Sequence, residues 1–221
     1  MLKKSYTKSI LSKFPNKTRT TTIVESFNSS IFSQSVNNKT DLAAVAFIDI
    51  YKFSLKVIDF NPIEVRDYLK EYYSTVFPII GQYSGQIERI TGDGIIIIFS
   101  KIFGDYKTDI EATDASFECS KEIIEKLYGT EFEAKSAISV GKLFFCKTGI
   151  ENLYEECSCV GYPLTMAYRI ESIAEKNQII MPATLPLAKR ILNNQPANWT
   201  NDTFSASLKG IKSHSFLRLQ Y

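Results

Sequence analysis

The chain has 221 residues, 44% of them apolar and 13% aromatic, enough for one substantial core and too few for an array of domains. Its 26 basic and 24 acidic residues leave a formal charge of +2 with no block of like sign, which argues against a nucleic-acid or membrane surface. No apolar stretch approaches the ~20 residues of a membrane-spanning helix. The opening Met1 to Tyr6 lacks the apolar run of a secretion signal, so a cytoplasmic setting with four reduced cysteines is expected. The single histidine, His214, leaves the Cys157-x-Cys159 pair without the partners a zinc site needs.

Residues 1–40 are polar and rich in Ser, Thr, Asn and Lys, and read as an N-terminal extension to a domain spanning 41–221. The apolar run Leu42 to Ile48 predicts a buried strand ending at Asp49. Val65, Leu69, Tyr72, Val76 and Ile80 recur at helical steps behind Asn61-Pro62, which predicts a helix over Pro62 to Ile80. Gln86 to Ile90 and Ile95 to Phe99 flank Thr91-Gly92-Asp93-Gly94 and predict a hairpin with Asp93 at its tip. A helix follows over Asp109 to Tyr128 and a strand over Ala134 to Phe145. Helices are expected at Leu164 to Ala174 and near Leu185 to Leu192, and strands at Gln178 to Met181, Phe204 to Lys209 and Phe216 to Gln220. The β-α-β-β-α-β order is the ferredoxin-like split unit, so the expected class is α+β with added C-terminal helices and a closing strand pair.

In that topology the end of the first strand and the hairpin tip meet at one sheet edge, which brings together Asp49 and Asp93, 44 residues apart in sequence. Two carboxylates there suit Mg²⁺, which takes carboxylate oxygens together with substrate phosphates. Taken alone, each aspartate is more often a turn or cap residue than a metal ligand.

Their surroundings are more specific. Ala46-Phe47-Ile48-Asp49-Ile50-Tyr51-Lys52-Phe53-Ser54 resembles the Phe-x-Asp-Ile-x-x-Phe-Ser/Thr signature of class III nucleotide cyclases. Arg89-Ile90-Thr91-Gly92-Asp93-Gly94 is similar to their second metal motif. The block Val160-Gly161-Tyr162-Pro163-Leu164-Thr165-Met166-Ala167-Tyr168-Arg169 resembles their Trp-Gly-x-x-Val-Asn-x-Ala-x-Arg segment, and Leu208-Lys209-Gly210 their final strand pair.

The resemblance implies that Asp49, Ile50 and Asp93 hold two Mg²⁺ or Mn²⁺ ions, which lower the pKa of a ribose 3′-hydroxyl and grip the triphosphate. It further implies that Arg169 steadies the charge growing on the α-phosphoryl oxygens, that Lys209 neutralises the terminal phosphate, and that the amides of Ile50, Tyr51, Lys52 and Phe53 cradle phosphates. In such cyclases two sites are shared across a head-to-tail homodimer, the aspartates from one subunit and Thr165, Arg169 and Lys209 from the other. Thr165 stands where the family carries its transition-state asparagine. The plain alternative for Arg169 is a surface ion pair with Glu171 or Glu175.

The base positions depart from the purine cyclases, which place Lys or Glu where this chain has Arg89, and commonly Asp or Cys where it has Ser158. Arginine reaches further than lysine and suits the O2 or O4 carbonyl of a pyrimidine. Tyr51, beside the first metal aspartate, either packs on the first helix or meets the base. The set resembles the pyrimidine cyclases of bacterial Pycsar phage defence, which implies UTP ahead of CTP as substrate and a separate effector that responds to the cyclic product. Two alternatives stay open: a purine cyclase with an atypical base pocket, and a cyclase-like module that binds nucleotide without turnover. No nucleic-acid substrate and no membrane partner are expected.

Overall fold

The computed structural model describes residues 36–103, 105–150 and 153–221, so the expected extension lies outside the described residues except for its last five positions. Strand β1 (Lys39–Ile50) alternates between two cores. Ala44, Ala46, Ile48 and Ile50 face one side, while Ala43, Val45 and Phe47 face the other. Asp49 continues the second series, and this parity sets the face on which its carboxylate emerges.

Past the strand, Lys52 adopts a left-handed backbone (φ 55°) and starts the short helix α1 (Phe53–Lys56), a turn that the periodicity did not signal. Helix α2 (Pro62–Gln82) opens on a capping box. The Asn61 side chain accepts from the amides of Ile63 and Glu64 at 2.9 and 3.1 Å, and the Glu64 carboxylate accepts from the Asn61 amide at 2.7 Å. Its Tyr68, Tyr72, Val76, Ile79 and Ile80 are buried in the first core.

Strands β2 (Gln86–Thr91) and β3 (Gly94–Phe99) form the expected hairpin, turned by Gly92 (φ 66°) and Asp93. Only a residue tolerant of positive φ sits easily at the first of these positions. Helix α3 (Asp109–Leu127), capped by Thr108, packs beside α2 on the first core.

Strand β4 (Ala134–Ile150) runs five residues past the expected end at Phe145, and returns as β5 (Tyr154–Val160), which the sequence reading left unassigned. Helix α4 (Tyr162–Glu171) is the helix expected at Leu164 to Ala174, displaced toward the N-terminus because Pro163 takes the first turn. It covers the second core with Met166, Ala167 and Ile170. Strand β6 (Gln178–Pro182), helix α5 (Pro186–Asn193) and the hairpin of β7 (Thr200–Leu208) and β8 (Ile211–Gln220) complete the chain.

The sheet order is β2-β3-β1-β4-β6-β8-β7, with β5 paired to the outer half of β4. Its β2-β3-β1-β4 portion is antiparallel throughout and, with α2 and α3 on one face, is the split β-α-β-β-α-β unit. The remainder is the added helix and strand pair, so the α+β class read from the sequence stands.

Candidate active site

Asp49 leaves the end of β1 and Asp93 the β2–β3 turn, and the fold brings their carboxyl groups close enough to hydrogen-bond each other. The Asp93 carboxylate is held by its own amide and that of Ile50. The hairpin tip is tied from behind, because the Tyr73 hydroxyl on α2 donates to the Gly92 carbonyl.

Burial is the first cause that pushes Asp49 up to about 8, followed by the charge of Asp93, the hydrogen bond with it, and Glu171; Lys135 opposes them. Burial raises Asp93 too, although its amide hydrogen bonds work against the shift. Two half-buried carboxylates in contact cannot both ionise cheaply, so the pair holds one proton near neutrality.

The aspartates line a cavity of about 370 Å³ with residues 50–55, Lys135, Ser172, Ala174 and Glu175, a size within the range of ligand pockets. Lys135 was not singled out from the sequence. It lies directly opposite Asp49 in the β1–β4 register, where its ammonium donates to Glu171 at 2.7 Å and sits 3.8 Å from Asp49. The signal that would have found it is cross-strand pairing, invisible before the register is known. The Tyr51 ring carries the Lys52 ammonium 5.1 Å from its centroid, at the cavity wall. The Tyr51 amide donates to the Glu133 carbonyl and the Ile50 amide to Asp93, so two of the four amides expected to cradle phosphates are already engaged.

The other expected site residues lie apart from this cavity. Thr165 is exposed and Arg169 half-buried on α4, and among the described residues Arg169 has neither of the ion pairs, with Glu171 or Glu175, of its plain alternative. Lys209 is exposed at the β7–β8 turn beside Gly210 (φ 75°). Arg89 and Ser158 occupy a third location, where β2 and β5 approach across the α4 face of the sheet. There Arg89 donates to Glu156 at 2.8 Å and the Ser158 hydroxyl donates to the buried Glu88 at 2.8 Å. Glu88 also escaped the sequence reading, since strand alternation gives no hint of a bulge.

The donor set at Asp49 and Asp93 fits a divalent cation: hard carboxylate oxygens, held in place by backbone amides and sharing a proton that a cation would displace. No cluster of three or more acidic, histidine or cysteine ligands forms among the described residues. The arrangement is therefore one of two carboxylates that depend on a ligand's own oxygens to complete a coordination shell.

The architecture is that of nucleotide cyclase catalytic domains. The guanylyl cyclase Cya2 superposes with a TM-score of 0.67 at 20% identity, over 83% of this chain and 94% of that one. The adenylyl cyclase CyaB from P. aeruginosa gives 0.67 at 15% identity, over 83% and 95%. The guanylate cyclase domain of RhGC from Catenaria anguillulae, in complex with GTP, gives 0.67 at 16% identity, over 82% and 98%. No protein-family model and no curated protein matches the sequence. No helix among the described residues is long and apolar enough to cross a membrane.

Proposed function

We propose that residues 41–221 form a nucleotidyl cyclase catalytic domain that converts a pyrimidine nucleoside triphosphate, UTP ahead of CTP, to its 3′,5′-cyclic nucleotide and pyrophosphate. The observation that carries this reading is that Asp49 and Asp93, from two different elements, line one cavity on a fold shared with nucleotide cyclase catalytic domains.

Asp49 and Asp93, with Ile50 beside them, would hold two Mg²⁺ or Mn²⁺ ions, which when bound supply an acidified ribose 3′-hydroxyl and a grip on the triphosphate. Lys135 and Lys52 at the cavity wall place positive charge toward the phosphates. The 3′-oxygen, having lost its proton, forms a bond to the α-phosphorus in line with the departing pyrophosphate. Arg169 offers its fork of donors to the α-phosphoryl oxygens as their charge grows, Thr165 faces the ribose, and Lys209 neutralises the terminal phosphate. These three residues lie outside the cavity, and they reach a nucleotide there as the contribution of a second copy in a homodimer with two shared sites. Arg89 and Ser158, which also lie outside the cavity, would read the base from the same second copy, with Tyr51 at the cavity wall.

By its resemblance to the pyrimidine cyclases of Pycsar defence, the product would act through a separate effector in response to phage. A purine cyclase differs from this reading only in the base accepted. A non-catalytic module differs in releasing no pyrophosphate.

Incubation with each of the four triphosphates and Mn²⁺ should give a cyclic pyrimidine nucleotide. A purine product alone removes the pyrimidine assignment, and no pyrophosphate from any triphosphate removes the enzyme. Mixing Asp49→Ala with Arg169→Ala protein should restore about half of the sites in heterodimers; no recovery counts against the shared site.

A further inference from the structure

Lys135 stands between a candidate metal ligand and a helix. It faces Asp49 across the β1–β4 ladder and lines the cavity, its side chain 15% exposed. Its Nζ lies 2.7 Å from Glu171 Oε1, 3.4 Å from the Glu171 carbonyl oxygen and 3.8 Å from Asp49 Oδ2. The ammonium is thus engaged by helix α4, although a carboxylate lies directly opposite it in the register.

The acceptor that engages it is on an anchored element. Glu171 is the last residue of α4, whose Met166, Ala167 and Ile170 are buried in the second core, and its carbonyl also accepts from the Ala174 amide at 3.1 Å. A lysine near the last carbonyls of a helix is favourably placed in its own right. The Glu171 carboxylate does not line the cavity, so it reaches the site only through Lys135. Sequence proximity offers Glu171 to Arg169, and the fold gives it to Lys135 instead.

A lysine ammonium rides on a flexible four-carbon stem, so its resting place is set by its acceptors. A shift of about 1 Å would turn the approach to Asp49 into a direct charge-assisted hydrogen bond. An ammonium so placed takes lone pairs that a divalent cation needs and repels the cation besides.

We propose that Glu171 is a positioning residue of the Asp49–Asp93 cavity: it ties the Lys135 ammonium to the end of helix α4, leaves the Asp49 carboxylate open to a divalent cation, and keeps the positive charge beside it for phosphate. The assignment rests on the cyclase reading above and adds to it the residue that keeps the chain's own cation out of the metal's place.

The probe is Mn²⁺ alone, titrated by calorimetry into the full chain at fixed pH and salt. Glu171→Ala should weaken Mn²⁺ by roughly tenfold to a hundredfold, the worth of a hydrogen bond between charged groups. Glu171→Gln, whose amide oxygen still accepts from Lys135, should weaken it less. In a Lys135→Met background the same substitutions should change Mn²⁺ affinity by less than about threefold, because no ammonium is left to restrain. A negative charge lost from the field of the cation gives equal losses for Gln and Ala in both backgrounds, and a packing defect in α4 persists without Lys135. Either result overturns the proposal, as does an unchanged Glu171→Ala. If Glu171→Ala does not fold, the isosteric Glu171→Gln carries the same comparison with and without Lys135→Met. Coupling without pyrophosphate release from any triphosphate leaves Glu171 its role at a cation site and removes the enzyme; turnover without coupling removes the role and leaves the enzyme. A wild type that binds no Mn²⁺ removes both.

Discussion

Asp49 and Asp93 work against the stability of the chain that carries them. The ordinary value for such a carboxyl is 3.8 and Asp49 stands at about 8, so between these limits the folded chain keeps a proton that the unfolded chain has lost. Stability of the metal-free protein therefore falls as pH rises through that window. A divalent cation must displace the same proton, so its apparent affinity should climb by up to about tenfold per pH unit below pH 8 and level off above it. Mn²⁺ calorimetry at pH 6, 7 and 8 reads this directly, and a flat affinity would count against the shared proton. Asp93→Asn removes one of the like charges. It should raise the melting temperature of the metal-free protein at pH 8 while lowering turnover by roughly a thousandfold or more, and a destabilised variant would contradict the repulsion.

Helix α4 carries Thr165 and Arg169 of the proposed site. Gly161 precedes it, and a Cβ there would lie 2.7 Å from the Lys142 carbonyl oxygen and 2.9 Å from a Leu143 methyl. The backbone oxygen cannot yield, so Gly161→Ala should destabilise the fold by about 1–3 kcal/mol and shift Thr165 and Arg169 with the helix. Thermal melting and turnover should fall together. The Asp93 turn and most of the order of elements were legible in the sequence because each depends on local chemistry: a glycine-containing turn and a hydrophobic period, whereas the need for Gly161 arises from a distant strand. Helix α1 was not legible, since four residues are too few to show a period. Lys135 and Glu88 were hidden for another reason: one owes its place to the register of β1 against β4, the other to a slip in the register of β2 against β3. Both are properties of pairing between distant segments, which single-strand alternation does not record.

At the scale of the whole molecule, the expected site residues divide between a cavity and surfaces that do not line it, and the proposed homodimer would join them. The surface offers apolar groups suited to that contact. Phe144 and Val160 are cross-strand partners and both exposed, Tyr162 follows them, and Ile150, Leu153 and Tyr154 stand exposed at the β4–β5 turn. Sedimentation should report a dimer, and Val160→Glu should shift it toward monomer with loss of turnover, while a fully active monomer would refute the shared site. Strand β2 has a further role at this scale, because among the described residues it closes one side of the sheet and its outer backbone groups are unpaired by any strand. A rim of that kind invites another chain to lie along it and template growth. The residue inserted at Glu88 breaks the regular spacing of those groups midway along the strand, so the same irregularity that turns two charges inward also denies the rim a smooth track for fibril-like stacking.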